Sequence, residues 1–244
     1  MKKSYTILAI IAVIVVAIYV MLPKERFAES VFPLGDGAKA SAYDDNADGG
    51  TSAVQFKSSD SLVSFQCALG ADEKKSAWCG LVFDFDPKGE KNYHNWKNVD
   101  TLYLDIDVSG TTEINVKTWT YDPDVTDLSN PSSFRMLLKE VPVKPGRNKI
   151  ALPFEQLYIP DFWYDNLGVK RSRNRPHHES VARVEISAGW NQPRGKNFGV
   201  NVREISVSGT SNRAYGIFLF IILGLMIVAI GRSHPVKEYD EKNG

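Results

Sequence analysis

The sequence predicts an all-β sandwich placed between two transmembrane helices. Two observations predict the helices, because residues 7–22 and 214–231 are continuous apolar runs without a charged side chain. A third predicts the sandwich. Between those ends the 244-residue chain carries many short runs of alternating apolar and polar residues, and no long helical period. We therefore expect one β-domain, at residues 40–209.

With its flanks, each apolar run approaches the length needed to cross the ~30 Å hydrocarbon core of a bilayer as a helix. We expect transmembrane helices at residues 5–22 and 214–231 rather than buried core helices, because both runs are apolar on every face. A cleaved signal peptide is the alternative for the first run. That run is longer than the apolar part of a usual signal peptide and a poor cleavage site follows it, so a retained anchor is favoured.

Basic residues at the outer flanks favour an orientation with both termini in the cytoplasm. Lys2 and Lys3 precede the first run, and Arg232 follows the second. The predicted location is the inner (cytoplasmic) membrane, crossed twice, with the β-domain on the periplasmic or extracellular side. The predicted order is cytoplasmic N-terminus, helix, linker, β-domain, helix and cytoplasmic tail, at residues 1–4, 5–22, 23–39, 40–209, 214–231 and 232–244.

Cys67 and Cys79 lie on either side of a polar turn, and we expect them to form a disulfide. The flanking residues 61–69 and 77–85 are rich in Val, Phe, Leu and Trp and are predicted as strands. A hairpin folded symmetrically about Glu73 places the two cysteines opposite each other, where an oxidising compartment lets the bond form. A pair of buried free thiols is the alternative.

The remaining strands follow from alternation and from the turns between them. Residues 102–108 alternate apolar and acidic side chains, as a half-buried strand does. Turn sequences at residues 109–111 and 144–147 separate neighbouring strands. The further predicted strands are residues 113–121, 133–143, 148–152, 181–188 and 198–208. Short strands at this spacing are typical of a sandwich or jelly roll.

Four segments, taken in order, resemble the galactose-binding-like jelly roll of family 11 carbohydrate-binding modules and their relatives. They are YDDNADGGTS, VDTLYLDIDVSG, PGRNKIALPF and VREISV, at residues 43–52, 99–110, 145–154 and 202–207. Together they cover residues 40–209. The resemblance implies a jelly-roll β-sandwich. In bacteria, domains of this type occur in carbohydrate-degrading enzymes and as extracytoplasmic parts of membrane signalling proteins.

An acidic turn is a candidate site for a structural calcium ion. Asp44, Asn46 and Asp48 have the D-x-N-x-D-G spacing that wraps oxygen ligands around Ca²⁺. The turn is not an EF-hand, because Gln55 stands where that loop needs a glutamate. The jelly-roll resemblance implies a further ligand from the last strand, where Glu204 lies. A solvated turn without an ion is the alternative.

Two other polar clusters are interpreted as ordinary loops. Asp122, Asp124 and Asp127 form a second acidic segment without a complete ligand pattern. His177 and His178 are adjacent, so on an extended chain their side chains point in opposite directions. No nucleophile motif, carboxylate pair or phosphate-binding loop is recognisable, and we therefore expect no enzyme activity.

Aromatic rings with polar neighbours are the candidate ligand-binding residues. An exposed ring stacks on the C–H face of a sugar, while nearby polar groups bind its hydroxyls. The candidates are Trp119, Tyr121, Trp163, Tyr164, Trp190, Asn191, Gln192 and Arg194. Core packing is the alternative for each ring. We assign Trp78 and Trp96 to the core, and we expect at least one ring of residues 162–164 to face outward.

These features favour a membrane-anchored module outside the cytoplasm that binds a ligand, above all a carbohydrate, as the sensory or accessory subunit of an envelope or signalling system. The alternative is a structural or assembly protein whose β-domain binds another envelope protein. The charge is balanced, with 29 basic and 29 acidic residues, and gives no argument for nucleic acid as a partner. The expected partners are the membrane, a glycan and a membrane or envelope protein, and the expected cofactor is structural Ca²⁺.

Overall fold

The computed structural model describes residues 2–21, 27–210 and 212–233. They belong to two compact units, a β-domain at residues 27–209 and a helical unit formed by the two ends of the chain. Met1, Leu22 at the end of the first predicted transmembrane helix, residues 23–26 of the predicted linker, Ser211 and residues 234–244 of the predicted tail lie outside the described residues.

The β-domain is a sandwich of two antiparallel sheets, which confirms the predicted class. Its strands β1–β11 are Phe27–Phe32, Lys39–Asp44, Ala53–Ser58, Val63–Ala68, Cys79–Asp84, Val99–Ser109, Glu113–Thr120, Arg135–Pro142, Gly146–Pro153, Val181–Ala188 and Asn197–Gly209. The six-stranded sheet has the order β3-β4-β11-β6-β9, with β1 also paired to β11, and the five-stranded sheet has the order β2-β5-β10-β7-β8. The helices α1, α2 and α3 are Lys2–Met21, Asp161–Leu167 and Asn212–Ser233.

The core lies between the two sheets and takes alternate residues from each strand. On β6, Leu104 and Ile106 are buried while Asp105 between them faces outward. On β5, in the other sheet, Leu81 and Phe83 are buried in the same core. The period-two pattern of the sequence therefore specifies which face of each strand is covered.

The β-domain begins earlier than the sequence suggested. Part of the predicted linker, residues 23–39, forms β1, which pairs with β11 and buries Val31 and Phe32. Glu29 on this strand accepts a hydrogen bond of 2.9 Å from the indole Nε1 of Trp96. Trp96 is fully buried, which confirms its assignment to the core.

Cys67 and Cys79 form the predicted disulfide, but the predicted hairpin around it is wrong. β4 belongs to the six-stranded sheet and β5 to the five-stranded sheet, so the bond joins the two layers through the core. Phe65 and Leu81, which a hairpin symmetric about Glu73 would place opposite each other, instead face the core from opposite sheets. The connection at residues 69–78 is long enough to carry the chain from one layer to the other, whereas a tight turn would have kept both strands in one sheet.

The two ends of the chain form helices that contact each other. The ring of Tyr19 on α1 stacks on Phe218 of α3, with 4.2 Å between the centroids and 22° between the planes. Tyr215 lies further along the same contact, at 6.4 Å from Tyr19. The helical character of both ends was predicted from the sequence.

The prediction that these helices cross a membrane is wrong. Within the described residues, no helix is both long enough and apolar enough to span a bilayer. The predicted two-pass location in the inner membrane, with cytoplasmic termini and a periplasmic domain, is therefore contradicted.

Replacing Cys67 and Cys79 together by Ala is expected to lower the free energy of unfolding by about 3 kcal/mol, because the lost cross-link frees the unfolded chain. Urea denaturation followed by circular dichroism measures the change. Wild-type protein treated with dithiothreitol is the control, and it should unfold at the same urea concentration as the double variant. Equal midpoints for the variant and the oxidised wild type would show that the bond contributes nothing.

Candidate ligand-binding site

The outer face of the five-stranded sheet is the candidate site, because polar side chains on it are buried. Alternation along the strands sends Leu81, Val116 and Val184 into the core and their neighbours to this outer face. The strand register aligns the outward residues in three rows. From β2 to β8 the rows are Tyr43-Gly80-Ser187-Asn115-Glu140, Ser41-Val82-Glu185-Lys117-Leu138 and Lys39-Asp84-Arg183-Trp119-Met136.

Glu185 is the centre of a charge network in the middle of this face. Its carboxylate accepts hydrogen bonds from the Tyr43 hydroxyl and from Arg183 Nε, both at 3.2 Å. Lys117 Nζ lies 3.7 Å from the same carboxylate. The Arg183 guanidinium also lies 4.4 Å from the ring centroid of Trp119. Because a buried charge is tolerated only when it is paired, these side chains hold one another in fixed positions.

The surroundings of Tyr43 and Lys117 change their titration. Burial, together with the charge of Glu185, raises the pKa of the Tyr43 hydroxyl well above its usual value. Burial lowers the pKa of the Lys117 ammonium in spite of the neighbouring carboxylate. Gly80 allows the Tyr43 ring to lie across the sheet, because a Cβ at that position would stand 2.4 Å from the hydroxyl oxygen.

At the β8 edge of this face, exposed aromatic rings surround Glu140. Trp190 Nε1 donates to Glu140 Oε1 at 3.0 Å, and the Tyr158 hydroxyl donates to the same oxygen at 2.6 Å. The ring of Phe162 lies 6.0 Å from that of Trp190, with an angle of 84° between the planes. Trp190 is 62% exposed, although its side chain is fixed at both the indole nitrogen and the ring.

The protonation state of this cluster follows from its hydrogen bonds. Burial acts to raise the pKa of the Glu140 carboxyl, but donors led by Tyr158 outweigh it and hold the pKa below its usual value. Burial and the Glu140 charge raise the pKa of Tyr158 to about 12. At neutral pH the cluster is therefore a carboxylate that accepts from two neutral aromatic donors.

Three of the aromatic rings that the sequence predicts as ligand-binding are buried. Trp119 lies on the outer face beneath Arg183 and belongs to one buried cluster with Trp163 and Tyr164 of α2. Residues 162–164 are helical rather than extended, and the outward ring expected among them is Phe162, at 40% exposure. For the three buried rings, core packing describes the structure better than ligand contact.

The other predicted site residues do not form one group. Tyr121 stacks on Tyr93 at 5.3 Å, beyond the end of β7. Asn191, next to Trp190, donates to Thr112 Oγ1 at 3.3 Å. The remaining two residues are Gln192, which is buried, and Arg194, which donates to the backbone oxygens of Asp72 and Lys75 at 2.7 and 2.8 Å. Arg194 therefore stabilises the β4–β5 connection rather than the cluster around Trp190.

Trp78 was expected in the core, and this expectation is wrong. It is 38% exposed, and its ring lies 5.5 Å from that of Tyr43 at the β2 edge of the sheet. Sequence reasoning also missed Tyr43, Lys117 and Glu185. Each of the three alternates with core residues along its strand, but only the strand pairing places them beside one another, and the sequence did not give that pairing.

The acidic turn is organised by Asp45, which the predicted ligand set omitted. The buried Asp45 carboxylate accepts from Ser52 N at 2.9 Å, Ser52 Oγ at 2.5 Å and Trp78 N at 2.9 Å. Ser52 Oγ in turn accepts from Gly70 N at 3.0 Å. This single side chain therefore joins the segments that lead into β3 and β5.

The four predicted calcium ligands are not brought together. Asp44, Asn46 and Asp48 lie in the turn, whereas Glu204 pairs with Asp105 in the six-stranded sheet. Asn197 begins β11 at the end of the sheet where the turn leads into β3. Glu204 lies seven residues further along β11, which is roughly 23 Å in an extended strand. Among the described residues no group of three acidic, His or Cys side chains forms a metal site. Ca²⁺ binding by the turn residues alone stays a prediction, which thermal unfolding with and without Ca²⁺ tests.

The second acidic segment contains a buried ion pair. Asp122 pairs with Arg135, and both side chains are almost fully buried. Arg135 also donates to the Arg173 backbone oxygen at 2.7 Å. His177 lies 3.6 Å from Asp122 and from Glu179. These contacts fix loops around α2, as the interpretation of the segment as an ordinary loop expects.

Neither a family model nor a curated protein matches the chain. Among solved structures it is similar to a family 11 carbohydrate-binding module from Clostridium thermocellum in complex with a β-1,3-1,4-mixed-linked tetrasaccharide, at 12% identity, 78% coverage of this chain, 98% of that chain and TM-score 0.48. A family 30 module of a Clostridium thermocellum cellulosomal cellulase shows 13% identity, coverage of 67% and 92%, and TM-score 0.40. An agarase, AgWH50C, shows 9% identity, coverage of 75% and 25%, and TM-score 0.43. At these values the likeness is to a β-sandwich and assigns no ligand to this chain.

Replacing Asp45 by Asn is expected to cost roughly 1–3 kcal/mol at neutral pH, because the amide cannot accept from all three donors. Burial acts to raise the pKa of Asp45, but hydrogen bonds led by Ser52 hold it below its usual value. A depressed carboxyl pKa stabilises the fold above the unfolded value of about 3.9, and this contribution is lost as pH falls through the folded pKa.

The free energies of unfolding of wild type and Asp45→Asn should therefore converge between pH 7 and pH 3, on either side of the unfolded pKa of about 3.9. Urea denaturation at several pH values measures the difference. A difference that stays constant across this range would contradict a charged, hydrogen-bonded Asp45.

Proposed function

We propose that the chain is a carbohydrate-binding module of the galactose-binding-like jelly-roll type, and that the glycan binds across the outer face of the five-stranded sheet. Trp190 carries this proposal. Its ring is largely exposed, yet a hydrogen bond to Glu140 and a ring contact with Phe162 fix its position. The passage of consecutive strands such as β4 and β5 between the two layers supports the jelly-roll assignment.

A fixed, exposed indole is suited to stacking on a sugar. The C–H face of a pyranose is apolar, and a large aromatic surface covers it at low cost in side-chain entropy when the ring is already held. An exposed tryptophan without such constraints would lose rotamer freedom on binding. The hydrogen bond to Glu140 therefore favours a role for Trp190 in recognition over that of an incidental surface residue.

The charges on the face support an uncharged ligand. Glu185 is matched by Lys117 and Arg183, and Glu140 is matched by two neutral donors. An acidic sugar beside Glu185 or Glu140 would need a cation there that is not already paired, because a buried charge without a partner is costly. The remaining cation of the three rows, Lys39, is exposed at the β2 edge. Paired side chains of this kind still offer hydrogen bonds to hydroxyl groups, which both donate and accept.

The width of the face supports an oligosaccharide rather than a single sugar. Trp78 lies beside Tyr43 on the β2 edge, and Trp190 lies beside Glu140 on the β8 edge. Four spacings of about 4.8 Å separate these edge strands, about 19 Å in all. A ligand that contacts both tryptophans must therefore run across the strands, along the row that begins at Tyr43.

We propose binding without catalysis. The sensory or accessory role and the assembly role both require a protein partner, and each stays a prediction. Titration with glycans separates the proposed function from the assembly role, because a module that binds only protein gives no saturable glycan response.

Trp190→Ala is expected to weaken glycan binding at least about tenfold, or ~1.4 kcal/mol, because the stacking surface is removed. Isothermal titration calorimetry of the full chain, with mixed-linked β-1,3-1,4-glucan oligosaccharides as the first probes and a glycan array behind them, measures the affinity. Tyr103→Ala, on the outer face of the six-stranded sheet, is the matched control and should bind as wild type does. Unchanged affinity in Trp190→Ala would overturn the proposed site.

Trp78→Ala is expected to weaken the binding of a tetrasaccharide or longer chain several-fold and to leave a disaccharide unaffected, because only a long ligand reaches both edges of the sheet. The same calorimetric series with oligosaccharides of increasing length checks this. Equal losses at every length would contradict a chain that runs across the strands.

A further inference from the structure

The outer face of the six-stranded sheet contains an uncharged row of side chains. Elsewhere on this face, ion pairs join Arg147 to Asp105 and Arg203 to Asp107. The β3–β4 end is different, because the outward residues Gln55, Gln66, Gly199 and Ser109 lie in one row across β3, β4, β11 and β6. None of these four side chains carries a charge.

A shallow cavity of about 230 Å³ lies over this row. Gly199 forms part of its floor, between two side chains that stand close on either side. A Cβ at Gly199 would lie 2.9 Å from Ser109 Oγ and 3.4 Å from Gln66 Cγ. In the next row Ala53 and Ala68 extend the floor with methyl groups. The cavity therefore exists because small residues fill the middle of the sheet between longer polar ones.

The polar walls of this cavity are available for a ligand. Gln55, Gln66 and Asn197 line it, and within the described part of the chain their side-chain amides make no hydrogen bond. Each carboxamide offers two N–H donors and one oxygen acceptor. Together, these three side-chain amides provide N–H donors and oxygen acceptors around an apolar floor.

We propose that this cavity is a second binding site, which takes one uncharged sugar ring. Adjacent sugar hydroxyls both donate and accept, and so match carboxamides, while the C–H face matches the floor of Gly199, Ala53 and Ala68. None of the described residues that line the cavity is a cation that could offset the desolvation of a carboxylate or phosphate, and the nearest on this face, Lys57, lies in the next row. The volume lies below the ~300 Å³ of common ligand pockets, which limits the occupant to a small molecule.

This site is independent of the Trp190 cluster. The two lie on different sheets, so neither needs the other to bind. A protein with both sites could hold two glycan chains, or two parts of one branched glycan.

Nuclear magnetic resonance of the full chain tests the site through the side-chain NH₂ signals of Gln55, Gln66 and Asn197. D-glucose, D-galactose and D-mannose are titrated separately. At least one should shift these signals saturably, and the response should persist in Trp190→Ala. Gln66→Ala should raise the Kd at least about fivefold, as expected for one lost hydrogen bond of ~1 kcal/mol. Ala68→Leu, which fills the cavity, should abolish the response.

Gln156→Ala is the matched control, since Gln156 is an exposed glutamine outside the cavity, and it should leave the titration unchanged. Unaltered core signals in each variant show that the fold is kept. The proposal is overturned if none of the three sugars gives a saturable shift at these amides, or if Trp190→Ala removes the shift as well. Loss of oligosaccharide binding in Trp190→Ala is a separate result and concerns the other sheet alone.

Discussion

The hydrogen bond from the Trp190 indole to Glu140 is the interaction on which the proposed site depends. It joins the segment after β10 to the edge strand β8 and keeps a large ring exposed in one position. Glu140 can do this because its carboxylate also accepts from Tyr158 and is held ionised. An exposed indole without such a partner would sample several rotamers, and each bound ligand would have to offset that entropy. The Trp190 ring is therefore held in place before a ligand binds.

The path of the chain between the two layers explains how the other residues on the outer face of the five-stranded sheet come together. Consecutive strands such as β4 and β5 lie in different sheets, so residues far apart in sequence become neighbours in a row. Tyr43 on β2 reaches Glu185 on β10 in this way, across the intervening strand β5. The disulfide between Cys67 and Cys79 joins the same two layers through the core. Layer packing and the charge network are therefore consequences of one topology.

The sequence was informative where a local pattern decides the structure. Alternation located β4–β11 but not β1–β3. The two cysteines paired as expected, because they are the only thiols in the sequence. The sequence was less informative about strand pairing. The hairpin predicted about Glu73 is wrong, because strands that are neighbours in sequence need not lie in the same sheet. In the acidic turn the spacing favoured Asp44, whereas burial selects Asp45, and only the three-dimensional contacts of Ser52 distinguish them. The apolar runs at the two ends likewise led to the prediction of membrane-spanning helices, which is wrong.

The most direct test of the central claim is a crystal structure of the full chain with a mixed-linked β-1,3-1,4-glucan tetrasaccharide. We expect a sugar ring stacked on Trp190 and a chain that runs across the outer face of the five-stranded sheet towards Trp78. A tetrasaccharide bound only in the loops or at another face, with the Trp190 ring free of contact, would contradict it.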